Sequence, residues 1–348
     1  MRVLVVNSGS TSVKVTILET KTDRVIFSME MEGMIASDPM THKRALRTIF
    51  EKIDPSSIEA VGHRVVHGGS KFRAPQALDR IIIQEIEELS ALAPIHNPAN
   101  LAGIKMARAI FSAVPHVAVF DTAFHSTIPD AHALYAIPRR FEKKYGIRKY
   151  GFHGISHEWV LHETARELRK NPKNLNVISV HLGGGVSVCA IKNGKSIDTT
   201  MGFTPLDGLM MGTRSGAIDP SILIFLQRNT PLSLSNLEYI LEFESGLKAI
   251  GGTESMQKLL EKRSKKDPAA TLAVDMFVDQ VKKQIGAYIA LLGTAAAVSF
   301  TGGIGFGSAL LRTRIMRGVP IAKNTRVLAI KANEAQLIAH RVAEVVKK

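Results

Sequence analysis

The chain carries one local pattern twice: a β-branched run, a turn rich in Gly or Ser, and an alternating second run. Val3 to Val6 leads through Asn7-Ser8-Gly9-Ser10-Thr11-Ser12 into Val13 to Leu18, and Val177 to Val180 leads through His181-Leu182-Gly183-Gly184-Gly185 into Val186 to Ile191. β-branched side chains suit a pleated strand, and Gly permits both the tight turn and the close approach of a ligand. Backbone N–H groups in such a turn can face a phosphate. Either turn alone reads as an ordinary hairpin loop. Recurrence in a matched context points further, to duplicated lobes that grip one phosphorylated ligand.

The match extends beyond the hairpins. Strands are expected at 2–7, 12–19 and 24–32, then a helix from Met40 to Ile53 and a strand from Ala60 to Val66 ending in His67-Gly68-Gly69. The order returns as strands near 175–180, 186–192 and 195–200, later helices, and a strand from Ala297 to Thr301 ending in Gly302-Gly303. Asp267 and Pro268 predict the start of a long helix whose apolar positions are Leu272, Val274, Phe277, Val278 and Val281. Asn333 as N-cap and Glu334 in the first turn predict a closing helix with Leu337, Ile338, Val342 and Val345 on one face. At 348 residues the chain exceeds one core of ordinary size, so two domains are expected.

Charge and apolar content narrow the class. Lys plus Arg outnumber Asp plus Glu by 45 to 31, a net charge of +14 that attracts anionic substrates. The surplus sits in runs such as Arg139 to Lys144 and Lys258 to Lys266 with few interleaved aromatics, which argues against a nucleic-acid surface. The most apolar stretch, Ile285 to Phe300, is too short and too Gly-interrupted for a membrane span and reads as a helix end entering a core strand. No small-residue cleavage site follows Met1-Arg2-Val3-Leu4, and the single Cys189 is expected to lie buried on its strand, so the expected compartment is the cytoplasm.

His, Arg and Asp are dense in loops marked by Gly and Pro: Gly62-His63-Arg64-Val65-Val66-His67-Gly68-Gly69, Pro94-Ile95-His96-Asn97-Pro98, Phe120-Asp121-Thr122, Gly151-Phe152-His153-Gly154-Ile155-Ser156-His157, and Met211-Gly212-Thr213-Arg214-Ser215-Gly216. Two arginines, a carboxylate and several imidazoles suit a transferring phosphoryl group, whose negative charge spreads over its equatorial oxygens. His153 and His157 share i, i+4 spacing but lack the intervening Glu of a zinc-protease helix, and Gly154 argues against a helix there.

At these residues the sequence resembles the acetate kinase family, the acetokinases of the acetate and sugar kinase/Hsp70/actin superfamily. The resemblance runs from residue 1 to about 310 and resumes at Arg326 to Val345. It implies an α/β fold of two duplicated actin-like, ribonuclease H-like domains with an interlobe active-site cleft, divided as 1–148 plus 335–348 and 149–334. It implies reversible Mg²⁺-dependent phosphoryl transfer from ATP to acetate or propionate, with Mn²⁺ as a substitute metal, ADP as product and a homodimer as the assembly. Carried over by matching motif, Asp121, Arg214 and His153 are the catalytic set, and Arg64, Val66, Ile95, His96, Phe152 and Pro205 bind the acid. Asn7 and Glu334 contact the metal. The nucleotide falls to Ser10, Ser12, Lys14, His181, Leu182, Gly183, Gly184, Gly185, Ser255, Met256, Gln257, Gly303, Ile304, Gly305, Phe306 and Gly307. His63, His67, His125 and His157 are expected to be structural, donating to loop carbonyls.

The chain departs from the family pattern around the base. Ser255-Met256-Gln257 stands where the family usually has Asp-x-Arg, Phe306-Gly307 where it has Glu-Asn, Ala217 in place of an Asp and Gly184 in place of an Asn. Phe306 then either stacks on a base or plugs the pocket. The eroded base site leaves a pyrophosphate-dependent or other short-chain acyl kinase, and a catalytically silent relative, as alternatives.

Overall fold

The computed structural model describes residues 1–9, 12–34, 39–94 and 96–347. Ser10 and Ile95, two of the expected site residues, lie outside the described residues. The strands are β1 (Arg2–Ser8), β2 (Ser12–Glu19), β3 (Arg24–Glu32), β4 (Ala60–Val65), β5 (Gln76–Ala77), β6 (His116–Phe120), β7 (Val177–Leu182), β8 (Val186–Lys192), β9 (Lys195–Thr199), β10 (Ala297–Thr301) and β11 (Arg326–Ala329).

Two compact units form. Unit 1 takes residues 1–126, 152–159 and 333–348, and unit 2 takes 127–151 and 160–332. The sequence reading set borders at 148/149 and 334/335, and the two units differ from that division at residues 127–148, 152–159 and 333–334.

Unit 1 holds a sheet in the order β3-β2-β1-β4-β6-β5, and unit 2 one in the order β11-β10-β7-β8-β9. In each, three antiparallel strands meet two parallel ones: β1 pairs parallel with β4 and β4 with β6, while β7 pairs parallel with β10 and β10 with β11. This common order is the duplication that the paired hairpins predicted.

The unit 1 sheet is covered on both faces, as the near-continuous apolar run of β1 requires. Leu4, Val6, Val13, Val15 and Ile17 pack with Leu46, Ile49 and Phe50 of helix Pro39–Phe50 and with Ala107 of helix Asn97–Ile110. Val3, Val5, Leu18 and Val117 pack on the opposite side with Leu337, Ile338 and Val342 of helix Glu334–Val346. Each such side chain, fully buried, contributes about 1.5–3 kcal/mol. Docking that last helix on β1 and β4 also fixes Glu334 beside the sheet.

In unit 2 the long helix runs Pro268–Leu292 with Asp267 accepting from Ala270 N–H at 2.8 Å. Val274, Phe277, Val278 and Val281 are buried as expected, but Leu272 is 55% exposed. Two positions before Val274 lies about 200° round a helix, so Leu272 belongs to the outer face. Cys189 is buried, as read. The helix Gly154–Leu168 begins on the glycine thought to oppose one. Among the described residues no helix is long and apolar enough to cross a membrane.

Candidate active site

The parallel strands of unit 1 end side by side, and polar side chains gather beyond their carboxyl ends, where open α/β sheets place ligands. Asn7 lies at the end of β1, Arg64 near the end of β4, and Asp121 directly after β6, its N–H donating to Val65 O at 3.0 Å. Arg64 Nη2 donates to Asp121 Oδ2 at 2.6 Å, its Nε to both carboxylate oxygens at 3.1 and 3.2 Å, and its Nη1 to Asn7 Oδ1 at 3.2 Å. Glu334 Oε2 stands 3.8 Å from Nε. Burial opposes the guanidinium charge, yet the Asp121 and Glu334 carboxylates outweigh it and raise the arginine above its ordinary pKa. Four of the expected residues therefore form one charged cluster.

Phe152, His153 and Gly154 reach this cluster through the backbone. Gly154 N–H donates to Asp121 O at 2.9 Å, and a Cβ on Gly154 would stand 2.0 Å from that oxygen, so only glycine permits the approach. His153, half-buried at φ +57°, is held just outside the helix by this contact. His125 Nε2 donates to Phe152 O at 2.9 Å, the structural role expected of it. Val66 and Phe152 are both buried in unit 1, and half-buried His96 stands at the N-cap position of helix Asn97–Ile110 without a side-chain capping bond.

Two further histidines behave differently from expectation. His67 Nδ1 accepts from Gly69 N–H at 2.9 Å, so that nitrogen is an acceptor within a turn. His63 meets no loop carbonyl through Nε2; it bonds His116 Nδ1 at 2.9 Å, while His116 Nε2 donates to Phe111 O at 3.1 Å. That donation leaves His116 Nδ1 an acceptor, so His63 donates and the pair is neutral. Burial lowers the pKa of both, with nearby Arg108 adding to the shift, and burial lowers His67 to about 4. Unfolded imidazoles near 6.5 bind protons that the folded chain refuses, so stability is complete above about pH 6.5 and falls as pH drops towards the folded values. Denaturant unfolding from pH 7.5 to 5 should show that loss, at up to about 1.4 kcal/mol per pH unit for each imidazole. A His63→Leu, His116→Leu double variant should have a shallower slope; an unchanged slope refutes the assignment.

Buried Asn97 and Asn100 were not legible as site residues. Asn97 Oδ1 accepts from His67 N–H at 3.1 Å, while Asn100 accepts from Val66 N–H at 2.9 Å and donates to Ser8 O at 2.6 Å. Together they lock the loop after β4 to the end of β1. Their signal was two amides on the apolar face of a helix.

Unit 2 carries Arg214, Pro205, His181 and the glycine turn. Arg214 Nε lies 2.9 Å from Glu242 Oε2, and Nη1 lies 3.5 Å from Pro205 O. Burial raises the Glu242 carboxyl above its ordinary pKa, and Arg214 works against the rise. Buried Pro205 stands in this loop of unit 2, whereas Val66 and Phe152 are in unit 1. His181 is buried at the end of β7, and Gly183 N–H closes the hairpin on Gly185 O at 3.0 Å.

A cavity of about 810 Å³ gathers Gly183, Gly184, Ser255, Met256, Gln257, Gly303, Ile304 and Gly307, with Glu254, Leu260, Glu261, Ser264 and Ser308 completing its wall. Glu254, Leu260, Glu261 and Ser264 were missed because they lie on helix Met256–Ser264 or at its approach, and Ser308 because it is the N-cap of helix Ala309–Met316, all outside any phosphate motif. Phe306, 43% exposed, is not part of the wall. Gly185, Leu182, His181 and Gly305 also stand outside the wall. Gly302 at φ +78° packs against Leu182, where a Cβ would meet Leu182 O at 2.4 Å. In unit 1, Ser12 O accepts from Gly9 N–H at 2.8 Å, and exposed Lys14 pairs with Glu30 at 3.1 Å.

The acetokinase family model matches residues 2–345. This chain belongs to the acetokinase family. It is similar to an acetate kinase of Streptomyces coelicolor, 40% identical over 99% of this chain and 92% of that protein. Among solved structures it is similar to a propionate kinase of Francisella tularensis (35% identity, 99% of each chain, TM-score 0.90) and to the Porphyromonas gingivalis acetate kinase (30% identity, 99% of each chain, TM-score 0.87). The duplicated actin-like α/β fold and a kinase chemistry that delivers phosphate to a carboxylate, with ATP or ADP as co-substrate, come with acetokinase membership.

Proposed function

We propose that this chain transfers a phosphoryl group reversibly from a nucleoside triphosphate to acetate or propionate, giving the acyl phosphate, in the cytoplasm and as a homodimer. The observation that carries the reading is the Arg64, Asp121, Asn7 and Glu334 cluster at the carboxyl ends of β1, β4 and β6, in a chain of the acetokinase family. Arg64 uses Nε and one hydrogen of each terminal nitrogen on Asp121 and Asn7, and the remaining terminal N–H groups suit a substrate carboxylate. A carboxylic acid is ionised at neutral pH and needs no base. Asp121, itself tied to Arg64, therefore acts by orienting charge, His153 by donating to the transferring group, and Arg214 by stabilising its developing charge.

The residues fit Mg²⁺. Asn7, Asp121 and Glu334 offer oxygen donors, the kind this hard ion takes, and two carboxylates leave most of its shell to water and phosphate. Among the described residues no group of three or more His, Cys, Asp and Glu side chains gathers as an all-protein cage. When bound, the ion would neutralise charge on the phosphates.

Trapping acyl phosphate as the hydroxamate, with ATP, GTP and pyrophosphate as donors, tests the reading. No product with any donor would mark a silent relative. Val66 and Phe152 are apolar and buried in unit 1, which suits a small acid site, so acetate and propionate should be used and longer acids rejected, each methylene changing discrimination by about 1–3 kcal/mol. Val66→Ala should improve use of butyrate; butyrate outperforming acetate in the unmodified protein contradicts the pocket.

A further inference from the structure

We infer that Glu242 is the positioning residue of Arg214, holding its guanidinium by Nε so that the terminal nitrogens face the transferring group. This rests on the role given to Arg214 above. The contact is 2.9 Å between Nε and Oε2; Glu242 is 8% exposed, and the Arg214 side chain 19%. Its other contacts are long: Nη1 is 3.5 Å from Pro205 O and 3.6 Å from Met211 Sδ. Among the described residues Glu242 is the one carboxylate paired with Arg214.

The backbone is built to keep the pair together. Residues Ile240–Glu244 form a π-helix, a rare conformation that recurs at functional sites. It is laced to the arginine loop: Ser215 N–H donates to Leu241 O at 3.0 Å, Thr213 Oγ1 to Glu242 O at 2.8 Å, and Ser245 N–H to Thr213 O at 2.9 Å. Leu247 and Lys248 N–H donate to Met211 O and Gly212 O, both at 2.9 Å. Gly246, at φ +63°, sits where a Cβ would stand 2.3 Å from Met211 O and 2.7 Å from Arg214 O. The two segments thus form one rigid clamp on both sides of Arg214.

Stability alone is a poor reason for this arrangement, because desolvating a carboxylate and a guanidinium commonly cancels their attraction. Orientation is the better one. A planar guanidinium fixed through Nε can present its Nη edge in one direction, as bidentate recognition of phosphoryl oxygens requires. Unit 1 uses the same device on Arg64, whose Nε is held by Asp121. Glu242 touches the arginine and acts through it.

The test is hydroxamate kinetics on the full chain with Glu242→Gln, Glu242→Asp, Arg214→Ala and the Glu242→Gln, Arg214→Ala double variant. Misaiming a catalytic group by about 1 Å can cost 10²-fold, so Glu242→Gln should lower kcat by about 10- to 100-fold with donor and acid KM within about threefold. Glu242→Asp should restore part of it, and the double variant should be no slower than Arg214→Ala, since residues acting as a unit are not additive. Should Glu242→Gln fail to fold, ¹⁵N-arginine NMR of the unmodified protein decides: the Nε–H signal missing in Arg214→Lys should exchange slowly with solvent. Exchange as fast as at exposed arginines overturns the inference. So does a kcat within twofold of normal in Glu242→Gln while Arg214→Ala is slow, an outcome that leaves the proposed function standing. Normal kcat in Arg214→Ala overturns both.

Discussion

Asp121→Ala lowers both stability and turnover. Asp121 is 1% exposed and takes three hydrogen bonds from Arg64, whose side chain is 16% exposed. Removing one partner of a buried pair typically costs about 3–5 kcal/mol, because the other charge is left without compensation. Glu334, 3.8 Å from Arg64 Nε, supplies part of the missing charge, which puts the expected loss near the lower end, about 3 kcal/mol. The kcat should fall by on the order of 10² or more, since Arg64 loses its orientation as well as its partner. Denaturant unfolding and hydroxamate kinetics measure the two effects, and Arg64→Ala with the double variant completes a cycle. The double variant should be less destabilised than the two single losses predict together, because it buries no orphan charge. A variant at Asp121 that unfolds within about 0.5 kcal/mol of the unmodified chain would show that the pair does not stabilise the strand ends.

The second large effect concerns the donor. The roughly 810 Å³ cavity of unit 2 is lined by the glycines 183, 184, 303 and 307 and by Ser255, Gln257 and Glu261 among others. Gln257 Nε2 already donates to Glu261 Oε1 at 3.3 Å, so part of the polar surface facing a base is satisfied internally. A site with few groups to leave unpaired rejects the wrong base weakly. ATP, GTP and ITP should therefore support acyl phosphate formation within roughly tenfold of one another, about 1.4 kcal/mol. With Phe306 outside the wall, Phe306→Glu with Gly307→Asn should sharpen the preference for ATP by adding polar groups at the rim. Selectivity for ATP beyond a hundredfold in the unmodified chain would show that its present residues read the base. Turnover with pyrophosphate alone would show that the cavity does not serve a nucleotide.

Much of the fold was legible because its signals are local. The β-branched runs, the Gly and Ser turns and the capping residues Asp267 and Asn333 act within a few residues of their own positions, and the matched order βββαβ required only that they be read in sequence. β11, mostly exposed along Arg326–Ala329, has no such pattern, and its parallel partner β10 supplies the reason it is a strand. The long motifs around Arg64, Asp121 and Arg214 were equally plain as family marks, yet nothing in them shows what each side chain touches. By itself, the sequence determined the duplicated α/β architecture, the acetokinase family and the residues that carry charge. Only the tertiary structure decided that Arg64 and Asp121 are one ion pair with Asn7 and Glu334 beside it, that His63 bonds His116, and that Glu242 holds Arg214. Those contacts join residues from 28 to 270 positions apart. Partners so distant are selected by strand order and helix docking, which the local pattern around each residue does not encode.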